Sequence, residues 1–190
     1  MTHKGTKTIE TERLILRRFT EDDAEDMYRN WASDPLVTRY MSWALHENVD
    51  ITHRIISGWV KQYPSEEFYQ WVITMKYGED AYAAIGSIAL VPVNIKDSSG
   101  VIGYALSRKY WGHGLMTEAL GGVLGYLFDE VGFERLTAVH HIQNTASGRV
   151  MEKNGMKYTG FLDHIHRNGA GELVDAKEYT IFRSDWSVKK

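Results

Sequence analysis

The sequence predicts a mixed α/β protein with a central twisted mixed sheet of about six to seven strands, flanked by helices. Three observations support this class. Apolar strand-like segments alternate with segments in which apolar residues recur every three or four positions. A strand, a glycine turn and a helix are followed by a strand from residue 135, which predicts a parallel crossover. The last two strands flank an Asn-Gly-Ala-Gly turn at 168–171, which predicts a hairpin.

The elements follow from local patterns taken in chain order. Thr20 precedes an acidic turn that begins the first helix, and Asp34 with Pro35 ends it. A Gly-Glu-Asp turn at 78–80 joins two strands, and residues 97–100 turn the chain into the next one. The predicted strands are 13–19, 68–75, 83–91, 101–106, 135–141, 158–167 and 172–183, and the predicted helices are 20–31, 51–60, 116–128 and 145–153.

Composition limits the function. A chain of 190 residues forms one sizeable core, so we expect a single domain over residues 1–190, with its core at about 9–186. The net charge of −3 argues against a nucleic-acid binder. The absence of cysteine excludes disulfides, a cysteine nucleophile and thiolate metal sites. No apolar stretch suits a bilayer, so we expect a cytoplasmic protein without a membrane partner.

The turn Arg108-Lys109-Tyr110-Trp111-Gly112-His113-Gly114-Leu115 is the most informative segment. It lies between a strand and a helix, where free first-turn N–H groups and the helix dipole favour an anion. A P-loop would require a Lys-Ser or Lys-Thr pair in place of Leu115 and Met116, and a dinucleotide site would require Gly or Ala at Thr117. A phosphate cradle of another kind remains, with Lys109 as a cationic contact. A purely structural turn explains the glycines equally well.

Residues 109–120 resemble the acetyl-CoA signature of the GCN5-related N-acetyltransferase (GNAT) superfamily, with Lys109 in place of the usual Gln or Arg. Residues 144–156 resemble the Asn-x-x-Ser-x-x-x-x-Glu-Lys-x-Gly-Phe element of the ribosomal-protein alanine N-acetyltransferase branch, and residues 11–17 resemble that branch's first strand. The resemblance implies the acyl-CoA N-acyltransferase fold, in which the strand before the glycine turn splays from its neighbour to admit the cofactor.

The resemblance also implies the cofactor contacts. Backbone groups near Leu106 would pair with the pantetheine arm, and amides of residues 112–116 would hold the pyrophosphate. Asn144 would contact the pantetheine, and Ser147 would lie near the sulfur. The residues expected to bind acetyl-CoA are Leu106, Lys109, Gly112, His113, Gly114, Leu115, Met116, Asn144 and Ser147.

The expected catalytic residues are Ser147, Tyr104 and His166. The resemblance gives Ser147 the role of general acid, with a cofactor hydrogen bond as the alternative. Tyr104 would orient the amine or simply pack in the core. His166 would be the base, on one face with His164 by the two-residue strand period. Glu21 is a second candidate for the base, ranked below His166.

Tyr40 and Trp43 are expected to contact the acceptor, with ordinary packing as the alternative. His140 with His141, and His164 with His166, raise the question of a metal. Adjacent strand residues face opposite sides, so we expect none.

We therefore expect an acetyl-CoA-dependent N-acetyltransferase that transfers the acetyl group directly to a primary amine in a ternary complex. The acceptor would be a protein N-terminal α-amine; the alternatives are a small-molecule amine, such as a polyamine, amino sugar or antibiotic, and a non-catalytic acetyl-CoA-binding module. The partners are the donor and the acceptor, with a homodimer left open.

Overall fold

The computed structural model describes residues 1–94 and 97–187, without the side chains of Pro92, Ile165, His166 and Ser187. The strands are β1 Ile9–Glu10, β2 Leu14–Arg17, β3 Gln70–Met75, β4 Ala84–Asn94, β5 Ser99–Leu106, β6 Arg135–His141, β7 Lys157–Arg167 and β8 Leu173–Phe182. The helices are α1 Ala24–Met27, α2 Pro35–Thr38, α3 Val49–Gln62, α4 Leu115–Gly125, α5 Thr145–Lys153 and α6 Arg183–Ser187. Short 3₁₀ turns lie at Glu21–Asp23 and Arg108–Tyr110, and π-helical turns follow α1 at Tyr28–Ala32 and α4 at Tyr126–Val131.

The described strands form one sheet in the order β1-β2-β3-β4-β5-β6-β8-β7. Every neighbouring pair is antiparallel except β5 and β6, which are parallel and connected through α4. The mixed sheet and the parallel crossover are confirmed. The expected number of strands was too low, because the two-residue β1 carries no alternating pattern that a sequence window could detect.

Helices cover both faces of the sheet. In β3, Trp71 and Ile73 pack in the cluster that contains α4, whereas Val72 packs in the cluster that contains α1 and α3. All three side chains are fully buried, because successive residues of a strand point to opposite faces. The strands near the centre of the sheet therefore hold the site between two helical layers.

Local capping explains where the first helical segments begin. The backbone N–H of Thr20 donates to the Asp23 carboxylate at 2.8 Å as part of a capping box at the start of the first helical segment. Asp34 and Pro35 do follow the end of that helical segment, but they also start α2. The Asp34 side chain accepts from the N–H of Leu36 at 2.9 Å, and proline suits a first helical position.

None of the helices in the described part of the chain has the length and apolar character needed to cross a membrane.

Candidate active site

β5 and β6 separate after four paired residues, which run from Ser99 with Arg135 to Ile102 with Ala138. A cavity of about 690 Å³ opens where the two strands part. Its walls come from the second half of β5, the glycine turn, the start of α4, the end of β6, the start of α5 and residues 36–42. The expected splaying is therefore present at the predicted place.

The edge of β5 that faces this opening carries free main-chain groups. Ser107 N–H donates to the Ile85 carbonyl at 2.8 Å, and backbone groups of a strand alternate between its two edges. The N–H groups of Tyr104 and Leu106 therefore point toward the opening. The Leu106 carbonyl already accepts from Trp111 Nε1 at 2.8 Å. An extended ligand chain can thus hydrogen-bond to β5 as a neighbouring strand would.

The glycine turn delivers unpaired N–H groups to the same cavity. Gly112 and Gly114 have φ angles of 80° and 76°, in the left-handed region that favours glycine. Gly114 is the N-cap of α4 and offers no side chain to the first-turn N–H groups. A Cβ atom at Gly112 would meet nothing within 4 Å. The turn is therefore an open anion site at the end of a helix dipole.

A carboxylate behind the turn fixes its position. Glu118 accepts hydrogen bonds from Thr11 Oγ1 at 2.6 Å and from both the backbone and Nε of Arg13 at 2.7 Å. Arg13 also donates to the His113 carbonyl at 3.1 Å. Burial opposes ionisation of Glu118, but these hydrogen bonds outweigh it and hold the pKa of its carboxyl below the ordinary value. The charged carboxylate therefore ties the turn to the segment before β2.

Lys109 does not line the cavity. Its ammonium lies 2.5 Å from the Asp80 carboxylate, which also accepts from the Tyr110 hydroxyl. These two hydrogen bonds lower the pKa of the Asp80 carboxyl. The expectation that Lys109 faces the phosphate is thus not supported, because an acidic side chain from the β3–β4 connection forms an ion pair with it.

Two other cations, Arg149 and Lys153 of α5, do line the cavity. The sequence analysis did not predict them, although their i, i+4 spacing places them on one helix face.

The structure brings Ser147 and Tyr104 together. Asn144 caps α5, its side-chain oxygen accepting from Ser147 N–H at 3.3 Å. The Tyr104 hydroxyl lies 2.9 Å from Ser147 Oγ and 3.0 Å from the Ser147 carbonyl. Because the carbonyl can only accept, the tyrosine proton can point there while the serine hydroxyl stays free to turn. Burial raises the pKa of Tyr104, so the phenol stays protonated.

Another wall of the cavity is formed by α2 and the segment that follows it, residues 36–42. Tyr40 lines it, with its ring centroid 5.0 Å from that of His141. Trp43 does not line the cavity, and its ring packs against His46 at 5.4 Å. Of the two residues expected to contact the acceptor, only Tyr40 therefore borders the cavity.

The β7–β8 hairpin holds this segment in place. Gly169 N–H donates to the Met41 carbonyl at 2.8 Å. A Cβ atom at Gly169 would lie 2.2 Å from the Trp43 carbonyl oxygen. Two backbones therefore meet here with no room for a side chain, and the hairpin tip fixes the position of residues 41–43.

Replacing Gly169 by alanine is expected to lower the free energy of unfolding by about 1–3 kcal/mol, because the new methyl group forces the two backbones apart. The Michaelis constant for the amine should rise several-fold, while CoA affinity stays unchanged. Chemical unfolding, amine kinetics and calorimetry measure the three quantities. Gly160→Ala is the matched control, since it lies in β7 with nothing within 4 Å of its new Cβ. Equal behaviour of both variants would contradict the role given to the hairpin tip.

Neither base expected from the sequence is among the described residues that line the cavity. Glu21 is exposed in its 3₁₀ turn and does not border the cavity. The side chain of His166 is outside the described part of the chain, and its backbone pairs with Val174. The predicted common face with His164 is not supported, because β7 has an irregular register between Leu162 and His166 and His164 has a φ of 49°. No described residue that lines the cavity is an aspartate or a glutamate.

His164 is instead part of an exposed ion-pair group. Its Nδ1 lies 2.8 Å from a carboxylate oxygen of Asp163 and of Asp175. The hydrogen bond to Asp163, together with both negative charges, raises the pKa of the imidazole. Charge pairing accounts for this arrangement without a metal ion.

Comparisons with known proteins agree with the geometry. The model of the acetyltransferase (GNAT) domain family matches residues 13–157. YoaA of Bacillus subtilis, described as an uncharacterized N-acetyltransferase, is 30% identical over 176 residues, covering 92% of this chain and 96% of YoaA. A GNAT-family acetyltransferase from Bacillus anthracis has a TM-score of 0.80 at 26% identity, over 94% of this chain and 99% of its own. RimL, described as a ribosomal L7/L12 α-N-protein acetyltransferase, shares the fold with a TM-score of 0.80 at 16% identity, over 93% and 94% of the two chains.

The open strand edge, the anion-binding turn and these matches define an acyltransferase that takes its acyl group from a CoA thioester. The chain belongs to the acetyltransferase (GNAT) family. It is an acetyl-CoA-dependent N-acetyltransferase, as residues 109–120 and 144–156 predict.

Proposed function

We propose that this enzyme acetylates a protein N-terminal α-amine by direct transfer from acetyl-CoA. The observation that carries the choice of acceptor is the charge of the cavity, because no described lining residue is a carboxylate. The lining cations, Arg149 and Lys153, suit the phosphates of the donor. The chain has no cysteine to carry a thioester, so the amine attacks the donor itself.

The free-energy cost of deprotonating the acceptor favours an α-amine over a lysine side chain. An α-amine with a pKa near 8 costs roughly 1 kcal/mol to neutralise at pH 7, whereas a lysine amine near 10.4 costs roughly 4–5 kcal/mol. Because no carboxylate is among the described residues that line the cavity, the site has no acidic side chain to assist the deprotonation of a lysine amine. Polyamines and amino sugars with several ammonium groups would also enter the cavity without an acidic partner for their charge.

The cavity wall formed by residues 36–42 suits the N-terminal residue of a polypeptide. Leu36, Val37 and Met41 are apolar, and Tyr40 and Ser42 add hydroxyl groups. Such a surface accommodates a first residue with a small uncharged side chain. The shared fold with RimL, an α-N-protein acetyltransferase by its description, supports the same class of acceptor.

We assign the other groups around this reaction. The N–H groups of Tyr104 and Leu106 bind the pantetheine arm, with Asn144 beside it, and the amides of residues 112–116 hold the pyrophosphate. Tyr40 borders the amine, and Ser147 gives its hydroxyl proton to the leaving thiolate. Tyr104 positions that hydroxyl through the 2.9 Å contact.

An amine panel with acetyl-CoA tests the acceptor. Thiol release would be measured with peptides that begin with Ala, Ser or Met, with the same peptides blocked at the N-terminus but carrying a lysine, and with spermidine and an aminoglycoside. We expect the free peptides to exceed every other amine at least tenfold in kcat/KM. Preference for spermidine or the aminoglycoside would replace our acceptor by a small molecule. CoA binding without thiol release on any amine would favour a non-catalytic module.

A further inference from the structure

Gly103 lies in the middle of β5, where the backbone does not require a glycine. Its φ is outside the left-handed region that favours glycine. The pairing of β5 with β4 is regular from Ile102 to Tyr104, so no β-bulge occurs at this position. A Cβ atom at Gly103 would meet no described atom within 4 Å. Glycine weakens a strand interior, and the explanation that remains is the close approach of a ligand.

The other glycines of β4 and β5 differ from Gly103. A Cβ atom at Gly86 would lie 2.6 Å from the Ala105 carbonyl oxygen, and one at Gly100 would lie 2.7 Å from Leu90 Cδ1. Packing within the protein therefore explains both of these glycines. Of the three, Gly103 is the one that is exposed and lines the cavity. The open space in front of Gly103 is thus part of the cavity.

Gly103 faces the side of the sheet that carries the wall formed by residues 36–42. Successive residues of a strand point to opposite faces, so Gly103 shares a face with Ala105. Ala105 packs in the cluster that contains Val37, whereas Ile102 packs in the cluster that contains α4. Ile102 is only 2% exposed, so the α4 side of β5 is closed at this level. An acceptor can therefore approach β5 from the side of Gly103.

The donor would place its reacting end next to Gly103. The glycine turn assigned to the pyrophosphate follows Leu106, so the pantetheine arm runs back along β5 from there. It leads toward Ile102, the last residue of β5 that pairs with β6. Ser147, the proposed acid, contacts Tyr104, which is adjacent to Gly103 in the strand. Gly103 therefore lies at the level where the thioester and its proton donor meet.

We propose that Gly103 is a specificity-determining residue for the acceptor, because the first residue of the acceptor lies over its Cα when the amine attacks. This inference rests on the proposed transfer to a protein N-terminal α-amine. The missing side chain leaves room for that first residue between β5 and the wall formed by residues 36–42. A larger residue at position 103 narrows this space, so it selects against acceptors whose first residue is large.

Gly103→Ala and Gly103→Val test the proposal with three peptides that differ only in their first residue, which is glycine, alanine or methionine. We expect kcat/KM with the methionine peptide to fall at least tenfold in Gly103→Ala and at least 100-fold in Gly103→Val. The glycine peptide should lose less than threefold in Gly103→Ala, because the methyl group missing from the substrate compensates for the one added to the enzyme. Calorimetry should show CoA affinity changed less than threefold in both variants.

Thermal unfolding separates this role from a structural one. Gly103→Ala should raise the unfolding temperature by about 1–4 °C, because alanine replaces glycine in an extended strand without a steric conflict. Gly160→Ala is the matched control, since Gly160 lies in β7, has open space at its Cβ and does not line the cavity. Its kinetics with all three peptides should equal those of the parent.

Two results would overturn the proposal. One is an equal loss of kcat/KM with all three peptides in Gly103→Ala. The other is a loss of CoA affinity as large as the loss of kcat/KM, which would assign the space at Gly103 to the donor. A parent that prefers spermidine or the aminoglycoside would refute the proposed acceptor instead. With that amine, a loss graded from Gly103→Ala to Gly103→Val at unchanged CoA affinity would still support the role of Gly103, and unchanged kinetics would overturn it.

Discussion

Gly112→Asp is expected to reduce CoA affinity at least 100-fold. The new side chain would project into open space within the protein, so its conflict is with the ligand. A carboxylate about 4 Å from a phosphate charge costs about 4 kcal/mol at the effective dielectric constant of a protein surface, and it also cancels the positive end of α4. Isothermal calorimetry with CoA measures the loss directly.

Two variants separate charge from backbone strain. Gly112→Asn has the same shape and the same strained φ without the charge, so it should bind CoA distinctly better than Gly112→Asp. Gly78→Asp introduces aspartate at another left-handed glycine, with φ of 99° and nothing within 4 Å, in the β3–β4 connection. It should bind CoA normally. Normal affinity in Gly112→Asp would remove the glycine turn from the phosphate site.

Ser147→Ala is expected to lower kcat by about 10²–10⁴-fold, the usual range for loss of a positioned acid, with little change in CoA affinity. The fold should tolerate the change, because the Tyr104 hydroxyl keeps the carbonyl of residue 147 as an acceptor at 3.0 Å. Steady-state kinetics with an N-terminal peptide, under conditions where chemistry limits the rate, measure the effect.

Varying the acidity of the leaving thiol tests the proton-donor role of Ser147 more directly than the loss of kcat alone. A thioester whose thiol is more acidic than CoA needs less proton donation, so the deficit of Ser147→Ala should shrink with such a donor. Ser184→Ala, an exposed serine of α6, is the matched control and should behave as the parent. Unchanged turnover in Ser147→Ala would leave Ser147 with a binding role only.

The sequence predicts the centre of this fold better than its edges. The limits of β6 and α5 agree with the prediction, because each has a clear period and a definite end signal, such as Gly155 after α5 with a φ of 83°. β1 and α2 were not predicted. Each depends on pairing or capping by a few residues, and so few residues do not establish a period.

The candidate site divides in a similar way. Gly112, Gly114, Leu115, Met116 and Ser147 line the cavity, because their local motifs carry the backbone geometry with them. His113 lies in the same turn but does not line the cavity. The position of Lys109 could not be predicted, since Asp80 reaches it from a distant turn. The burial of His140 is likewise hidden in the sequence, because it depends on the ring's position beneath Gly148.

The separation of β5 and β6 has a consequence for the stability of the enzyme. Among the described residues, four β5–β6 strand pairs join the five strands on one side of this junction to the three on the other. A donor bound in the opening connects the two parts of the sheet and thereby stabilises the folded enzyme. Ligand at 100 times its dissociation constant adds about 2.7 kcal/mol to the free energy of unfolding. The amount of enzyme that survives heat or proteolysis should therefore follow the supply of acetyl-CoA, so the donor influences both the rate of the reaction and the lifetime of its catalyst.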